Sequence, residues 1–248
     1  MEINKIYNID CLIGMQEIED ASIDLIICDL PYGTTRNEWD SVIPIDELWK
    51  QYERIIKENG AIVLFSQMPF TAYLVMSNPK LFRYEWIWEK DNGTGFLNSK
   101  HAPLKKHENI LVFSKCSFVR MTYNPQMGKG KLYEQKSGRA SRNYDYSTMR
   151  PVVTKNDGFR FPNDVLKFNR DKEKIHPTQK PTALIQYLIR TYSNEGDLVL
   201  DNCMGSGTTA ISCINTRRNF IGFETDERYY QKSMERIKNE QMQTTLNL

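Results

Sequence analysis

The chain has 248 residues, 40% of them hydrophobic, and a net charge of only +2. That length and apolar content suit one large domain, or one domain carrying a sizeable insertion, and exclude a disordered chain. No run approaches the roughly 18 to 20 apolar residues of a membrane span, and the opening Met-Glu-Ile-Asn-Lys has no apolar signal core.

The small net charge hides an uneven distribution. Residues 99–181 hold 18 Lys and Arg against 7 Asp and Glu, a surplus of 11, while the rest of the chain holds 15 against 24, a deficit of 9. One contiguous third is therefore strongly basic, as a polyanion-binding insertion in an ordinary body would be. The five cysteines, at 11, 28, 116, 203 and 213, form an odd set without Cys-x-x-Cys pairing, and there are only three histidines. No metal site is expected from them, and a reducing, cytoplasmic compartment is.

In chain order, a short strand falls within Ile3–Ile9, and Asp10 precedes a brief helix near Leu12–Ile18, where an Asp acts as an N-cap. Ile23–Cys28 is, Asp24 excepted, a β-branched apolar run of buried-strand length. It ends in Asp29-Leu30-Pro31-Tyr32-Gly33. Pro31 holds Leu30 extended and Gly33 permits a turn, so a carboxylate, a backbone carbonyl and an aromatic ring arrive together at a strand's C-terminal end. Open α/β sheets place their chemistry there.

Ile45–Lys57 has helical apolar spacing through Leu48, Tyr52, Ile55 and Ile56, with Asn59-Gly60 as its stop, and Ala61–Ser66 is another strand. Pro69–Met76 follows as a helix, and Tyr84–Trp88 and Asn109–Ser114 as strands. Trp86 and Trp88 alternate on one strand face and read as core. The Gly- and Asn-rich stretch Asp91–His101 is too long for a plain connection, so it is functional or mobile.

From residue 116 to 172, Lys and Arg are interleaved with Tyr123, Tyr133, Tyr144, Tyr146, Phe159, Phe161 and Phe168. Cations neutralise phosphates, while aromatic and amide side chains contact bases. This is the expected nucleic-acid-binding insertion, with Lys129, Lys131, Arg139 and Arg142 as candidate contacts. It separates residues 1–115 from residues 173–248, the two halves of one catalytic and cofactor-binding domain.

Alternation then resumes, with a helix over Thr182–Tyr192, a strand to Asp201, a Gly-rich turn, a helix to about Arg217, a strand over Asn219–Glu224 and a last helix over Glu227–Gln241. Glycines let a backbone approach a ligand, a helix N-terminus offers free N–H groups, and a carboxylate at the next strand's end can hold ribose hydroxyls. Gly205-x-Gly207-x-x-Ala210 fits a dinucleotide fingerprint. It is not a P-loop, since no Lys follows the second glycine, and Met204 rules out a nucleophile elbow.

Four motifs together resemble the β class of amino-directed DNA methyltransferases: Asp29-Leu-Pro-Tyr32, His176-Pro-Thr-Gln-Lys-Pro181, Asp201-Asn-Cys-Met-Gly205-Ser-Gly207-Thr-Thr209 and Phe220-Ile-Gly-Phe-Glu224. With the strand pattern they cover nearly the whole chain. The resemblance implies a mostly parallel seven-stranded sheet with helices on both faces and one antiparallel strand. Departures are Leu30 where Asp-Pro-Pro-Tyr is usual, and Asn202-Cys203 where Pro-Phe is common.

The resemblance further implies S-adenosylmethionine as methyl donor and double-stranded DNA as substrate. Asp29 and the Leu30 carbonyl would hold the amino hydrogens of a flipped-out base, Pro31 would restrain Leu30, and Tyr32 would stack on the base. The donor's adenine is expected near Asp10 and Cys11, its methionine part near Asp29, Asp201, Gly205, Ser206, Gly207 and Thr208, and its ribose at Glu224. His176, Thr178 and Lys180 would close that pocket; for His176 a turn role before Pro177 stays open. Asp at the motif's head favours adenine N6 over cytosine N4. An inactive methylase-like DNA-binding protein and a nicotinamide dehydrogenase are the other classes, and the latter leaves Asp-Leu-Pro-Tyr unexplained. A homodimer and a cognate restriction nuclease are not readable.

Overall fold

The computed structural model describes residues 1–33, 43–136, 153–172 and 179–246. Their strands in chain order are β1 Lys5–Tyr7, β2 Ile23–Asp29, β3 Ile56–Ser66, β4 Phe82–Thr94, β5 Lys105–Phe113, β6 Gly128–Lys129, β7 Tyr133–Lys136, β8 Val153–Asn156, β9 Phe159–Arg160, β10 Val165–Lys167, β11 Leu198–Asp201 and β12 Asn219–Phe223. The helices are α1 Cys11–Gln16, α2 Ile45–Ile55, α3 Phe70–Ser77, α4 Thr182–Tyr192, α5 Thr208–Thr216 and α6 Glu227–Leu246. They form two compact units, Met1–Asn124 with Asp164–Leu248, and Pro125–Asn163.

The larger unit is built on one sheet of order β1-β12-β11-β2-β3-β5-β4-β10. All neighbours pair in parallel except β5, which runs antiparallel to both β3 and β4. Strand β2 lies at its middle. Its side chains alternate: Leu25 and Ile27 join a core with α4, α5 and α6, while Ile26 and Cys28 join a second core with α1, α2 and α3. A strand covered on both faces needs the continuous apolar sequence that Leu25–Cys28 supplies. The expected mostly parallel sheet with helices on both faces is present.

The sheet has eight strands among the described residues, one more than expected. The extra one, β10, adds to the edge in parallel with β4. Three residues in a basic stretch carry too little periodicity to announce a strand.

A second correction concerns Asn59-Gly60, which does not stop α2. The helix ends at Ile55, Ile56 is already extended at φ −72° and ψ 137°, and β3 runs through both residues. Gly60 is needed there for close approach, because a Cβ would lie 2.8 Å from the Asp24 carbonyl oxygen and from Ile56.

Trp86 and Trp88 are buried, as expected, and each indole N–H is satisfied, by the Tyr192 hydroxyl at 2.5 Å and the Phe168 carbonyl at 2.9 Å. Strand β4 continues past them into the glycine-rich stretch and ends at Thr94. A turn of 3₁₀ helix, Phe96–Asn98, then leads toward β5 and leaves Phe96 and Leu97 exposed.

The smaller unit holds two antiparallel pairs, β6 with β9 and β7 with β8. Arg160 is its hub. Its guanidinium lies 4.7 Å from the Tyr133 ring centroid and bonds the Asn156 side chain and the Lys131 carbonyl. Lys129 and Lys131 are exposed. No described helix is long and apolar enough to cross a membrane.

Candidate active site

Because β2, β11 and β12 are parallel neighbours, Asp29, Asp201 and Glu224 emerge at one edge of the sheet. They line a cavity of ≈ 440 Å³, together with Asp10, Cys11, Leu30, Pro31, Tyr32, Lys180, Gly205, Ser206 and Thr208. Sequence-distant candidates are thus brought together by topology. His176, Thr178, Arg139 and Arg142 lie outside the described residues. Gly207 does not line the cavity. At φ 75° it turns the chain into α5, and a Cβ on it would stand 3.0 Å from the Ser233 side chain on α6.

On the β11 and β12 side the carboxylates are held by backbone amides. Asp201 accepts from the Cys203 N–H at 3.0 Å and from the Thr209 hydroxyl at 2.6 Å. Burial pushes it up to about 6, against the pull of those two donors. Glu224 accepts from the Gly205 N–H at 2.7 Å and the Asp226 N–H at 2.8 Å, and burial raises it as well.

Asp10 caps α1 by accepting from the N–H groups of Leu12 and Ile13, at 2.8 and 3.3 Å, while also facing the cavity. The unusual Asn202 is explained by its neighbour on α2. Its Oδ1 accepts from the buried Tyr52 hydroxyl at 2.5 Å, a partner that proline could not be.

On the β2 side, Leu30 sends its side chain into the core between the sheet and α1–α3, which leaves only its backbone for chemistry. Asp29 is fully engaged: its Oδ1 accepts from the Tyr32 hydroxyl at 2.8 Å, and its Oδ2 is 2.5 Å from the Lys180 ammonium. The Tyr32 ring lies against Phe70, with centroids 5.0 Å apart. Lys180 continues to Glu108 Oε2 at 3.2 Å, and Glu108 Oε1 meets Lys90 at 2.6 Å and the Gln67 amide at 3.2 Å.

Two carboxylates and two ammonium groups thus alternate in a buried chain, in which attraction must offset several kcal/mol of desolvation per ion. Burial, reinforced by the Glu108 charge, pushes Asp29 above its ordinary value despite Lys180. Burial also opposes ionisation of Glu108, but Lys180 and Lys90 together hold it below. Burial alone would lower Lys180, yet Asp29 and Glu108 outweigh it and raise the ammonium above its ordinary value.

Lys90, Glu108 and Gln67 were not among the residues singled out from sequence. The signal was available for the first two. Lys90 continues the row Trp86, Trp88 on β4, and Glu108 the row of Ile110 and Val112 on β5, so each places a charge on a core-facing apolar row.

Replacing Lys180 by Met should therefore cost about 3–5 kcal/mol, since it strands the half-buried Asp29 and takes one partner from the buried Glu108. Without the ammonium Asp29 rises further, so a proton relieves the strain. The loss should be largest near pH 8 and shrink toward pH 5 in urea unfolding at each pH, and a loss independent of pH would show that Asp29 does not need Lys180.

A family model described as DNA methylase matches residues 23–235. The type II methyltransferase M1.MboII of Moraxella bovis is 31% identical over 92% of this chain and 94% of its own length. DNA adenine methyltransferase YhdJ of Escherichia coli strain K12 is 30% identical over 95% of this chain and 83% of its own. Among solved structures, the M1.HpyAVI–SAM complex superposes with a TM-score of 0.62 at 26% identity, covering 94% of this chain and 98% of that one.

Proposed function

The chain belongs to the DNA methylase family, and from that premise we propose that it methylates N6 of adenine in double-stranded DNA with S-adenosylmethionine as donor. The observation that carries this is the joining, at one sheet edge, of Asp29-Leu30 with a cavity whose other wall is Asp201 and Glu224. The alternative within the same architecture is cytosine N4. Adenine is favoured by the likeness to YhdJ, a DNA adenine methyltransferase, and by Asp rather than Ser at position 29.

The residues present fit the donor. It carries a sulfonium and an ammonium, and the cavity offers the buried carboxylate of Asp201 and the half-buried one of Glu224; a ribose diol needs acceptors, and Glu224 stands at the end of β12. Gly205, Ser206, Thr208, Asp201 and Asp29 would surround the methionine part, and Asp10 with Cys11 the adenine. When bound, S-adenosylmethionine supplies an electrophilic methyl group.

The protein's part is alignment and lone-pair control. An exocyclic amino group is a poor nucleophile because its lone pair is delocalised into the ring. Asp29 Oδ and the Leu30 carbonyl accept its two hydrogens and hold a geometry in which the lone pair points at the methyl group. Leu30 serves through its carbonyl, and Pro31 keeps that carbonyl free of a helix. With the donor bound, the N–CH₃ bond would form as the S–CH₃ bond broke, the electron pair would stay on sulfur, and the proton left on nitrogen would pass to water. Cysteine need not act, in keeping with the burial that pushes Cys28 up to about 12.

Tyr32 is proposed to leave Phe70 and stack on the extruded base, whose unstacking costs about a few kcal/mol. His176, Thr178 and Lys180 are proposed to close the pocket. DNA binding is assigned to residues 116–172, with Lys129, Lys131, Arg139 and Arg142 bound to phosphates. That assignment rests on charge and on the exposure of Lys129 and Lys131. The reading leaves 1–115 and 173–248 as the catalytic and cofactor-binding halves.

Incubation of plasmid DNA with the protein and labelled S-adenosylmethionine should yield N6-methyladenine on nucleoside mass spectrometry, and Asp29→Ala should abolish it while donor binding survives. N4-methylcytosine alone would reassign the base, and near-normal turnover by Asp29→Ala would overturn the mechanism. Neutralising Lys129, Lys131, Arg139 and Arg142 should weaken DNA binding and flatten its salt dependence, by about 0.9 in the log–log slope for each phosphate that is no longer neutralised. An unchanged slope would place the DNA elsewhere.

A further inference from the structure

Resting on the methyl-transfer reading above, we propose that Glu108 is a positioning residue that takes the Lys180 ammonium away from Asp29 when the target amino group arrives. Both oxygens of Asp29 already carry a donor, Tyr32 on one and Lys180 on the other. The amino group needs that carboxylate as a strong acceptor. An ammonium at 2.5 Å draws away the electron density that the amino hydrogen would use.

Glu108 provides the other seat. Its Oε1 is held by Lys90 and Gln67, but its Oε2, buried 3.2 Å from the Lys180 nitrogen, receives no aligned hydrogen bond. A buried acceptor without an aligned donor is costly, so a structure that keeps one calls for an explanation. Here it faces the Lys180 ammonium, which can fill it. A small swing of the Lys180 side chain exchanges one carboxylate for the other, with no change in the charge of the buried chain.

Two features make the exchange available. The Lys180 ammonium lies 5.2 Å from the centroid of the Phe65 ring, which adds to its support beside the two carboxylates. Lys90 neutralises part of the Glu108 charge and so stops Glu108 from holding Lys180 permanently. The pair Lys90–Glu108 thereby sets how readily Asp29 is released. Neither residue touches the reacting atoms.

The test is a single-turnover methylation series on duplex DNA. E108Q, which keeps the shape and removes the charge, should slow methyl transfer roughly 10- to 100-fold, the scale of a misplaced catalytic group. Its affinities for S-adenosylmethionine and DNA should stay unchanged. K90M should do the opposite of a structural lesion and match or exceed the wild-type rate, because Glu108 then attracts Lys180 unopposed. A wild-type rate in E108Q, or a K90M variant as slow as E108Q, would overturn the proposal. If E108Q fails to fold, K90M alone decides, with a rate at or above wild type expected and a rate at least 10-fold below it overturning the proposal. A wild-type protein that transfers no methyl group at all would instead sink the underlying reading.

Discussion

The molecule depends on bringing a half-buried carboxylate, Asp29, to the end of its central strand and setting an ammonium against it there. Nothing about β2 itself favours this, since the strand is apolar and covered on both faces. Lys180 offsets part of the desolvation cost, and Lys180 is in turn stabilised by Glu108 and Glu108 by Lys90. These four residues come from β2, β4, β5 and the segment entering α4. The sheet order, with β5 inserted antiparallel between β3 and β4, is what lets them meet.

The second wall of the cavity follows a different principle. Among the described residues Asp201 and Glu224 meet no cation; they are held by backbone N–H groups of the Gly-rich loop and by a threonine hydroxyl. Uncompensated negative charge is left in a partly buried cavity, and burial raises both groups. Such a wall suits a cationic ligand, whereas the neutralised chain around Asp29 suits a neutral amino group. The two halves of the site differ in electrostatics as the two reactants do.

Much of this was legible in the sequence. The apolar run ending in Asp-Leu-Pro-Tyr, the strand ending at Asp201 and the Gly-rich turn located the site. Helix α4 falls at Thr182–Tyr192, as its apolar spacing predicts. What failed had local causes. Asn59-Gly60 looks like a helix stop because Gly has two uses, and here close backbone approach rather than a turn is the one in force. Strand β10 was too short to show a period. Lys90 and Glu108 each stand out as a charge on a core-facing apolar row, but that they pair with each other shows only when the two neighbouring strands are placed in register. Trp88 pairs with Glu108, which sets Lys90 beside it.

The central claim is that Asp29 and the Leu30 carbonyl jointly hold an exocyclic amino group. A crystal structure of the protein with duplex DNA and a non-reactive analogue of S-adenosylmethionine tests it most directly. The account predicts an adenine turned out of the duplex, with its amino nitrogen about 3 Å from both Asp29 Oδ and the Leu30 oxygen. A base bound in the cavity with its amino group turned away from Asp29, while Asp29 stays closed on Lys180, would contradict it.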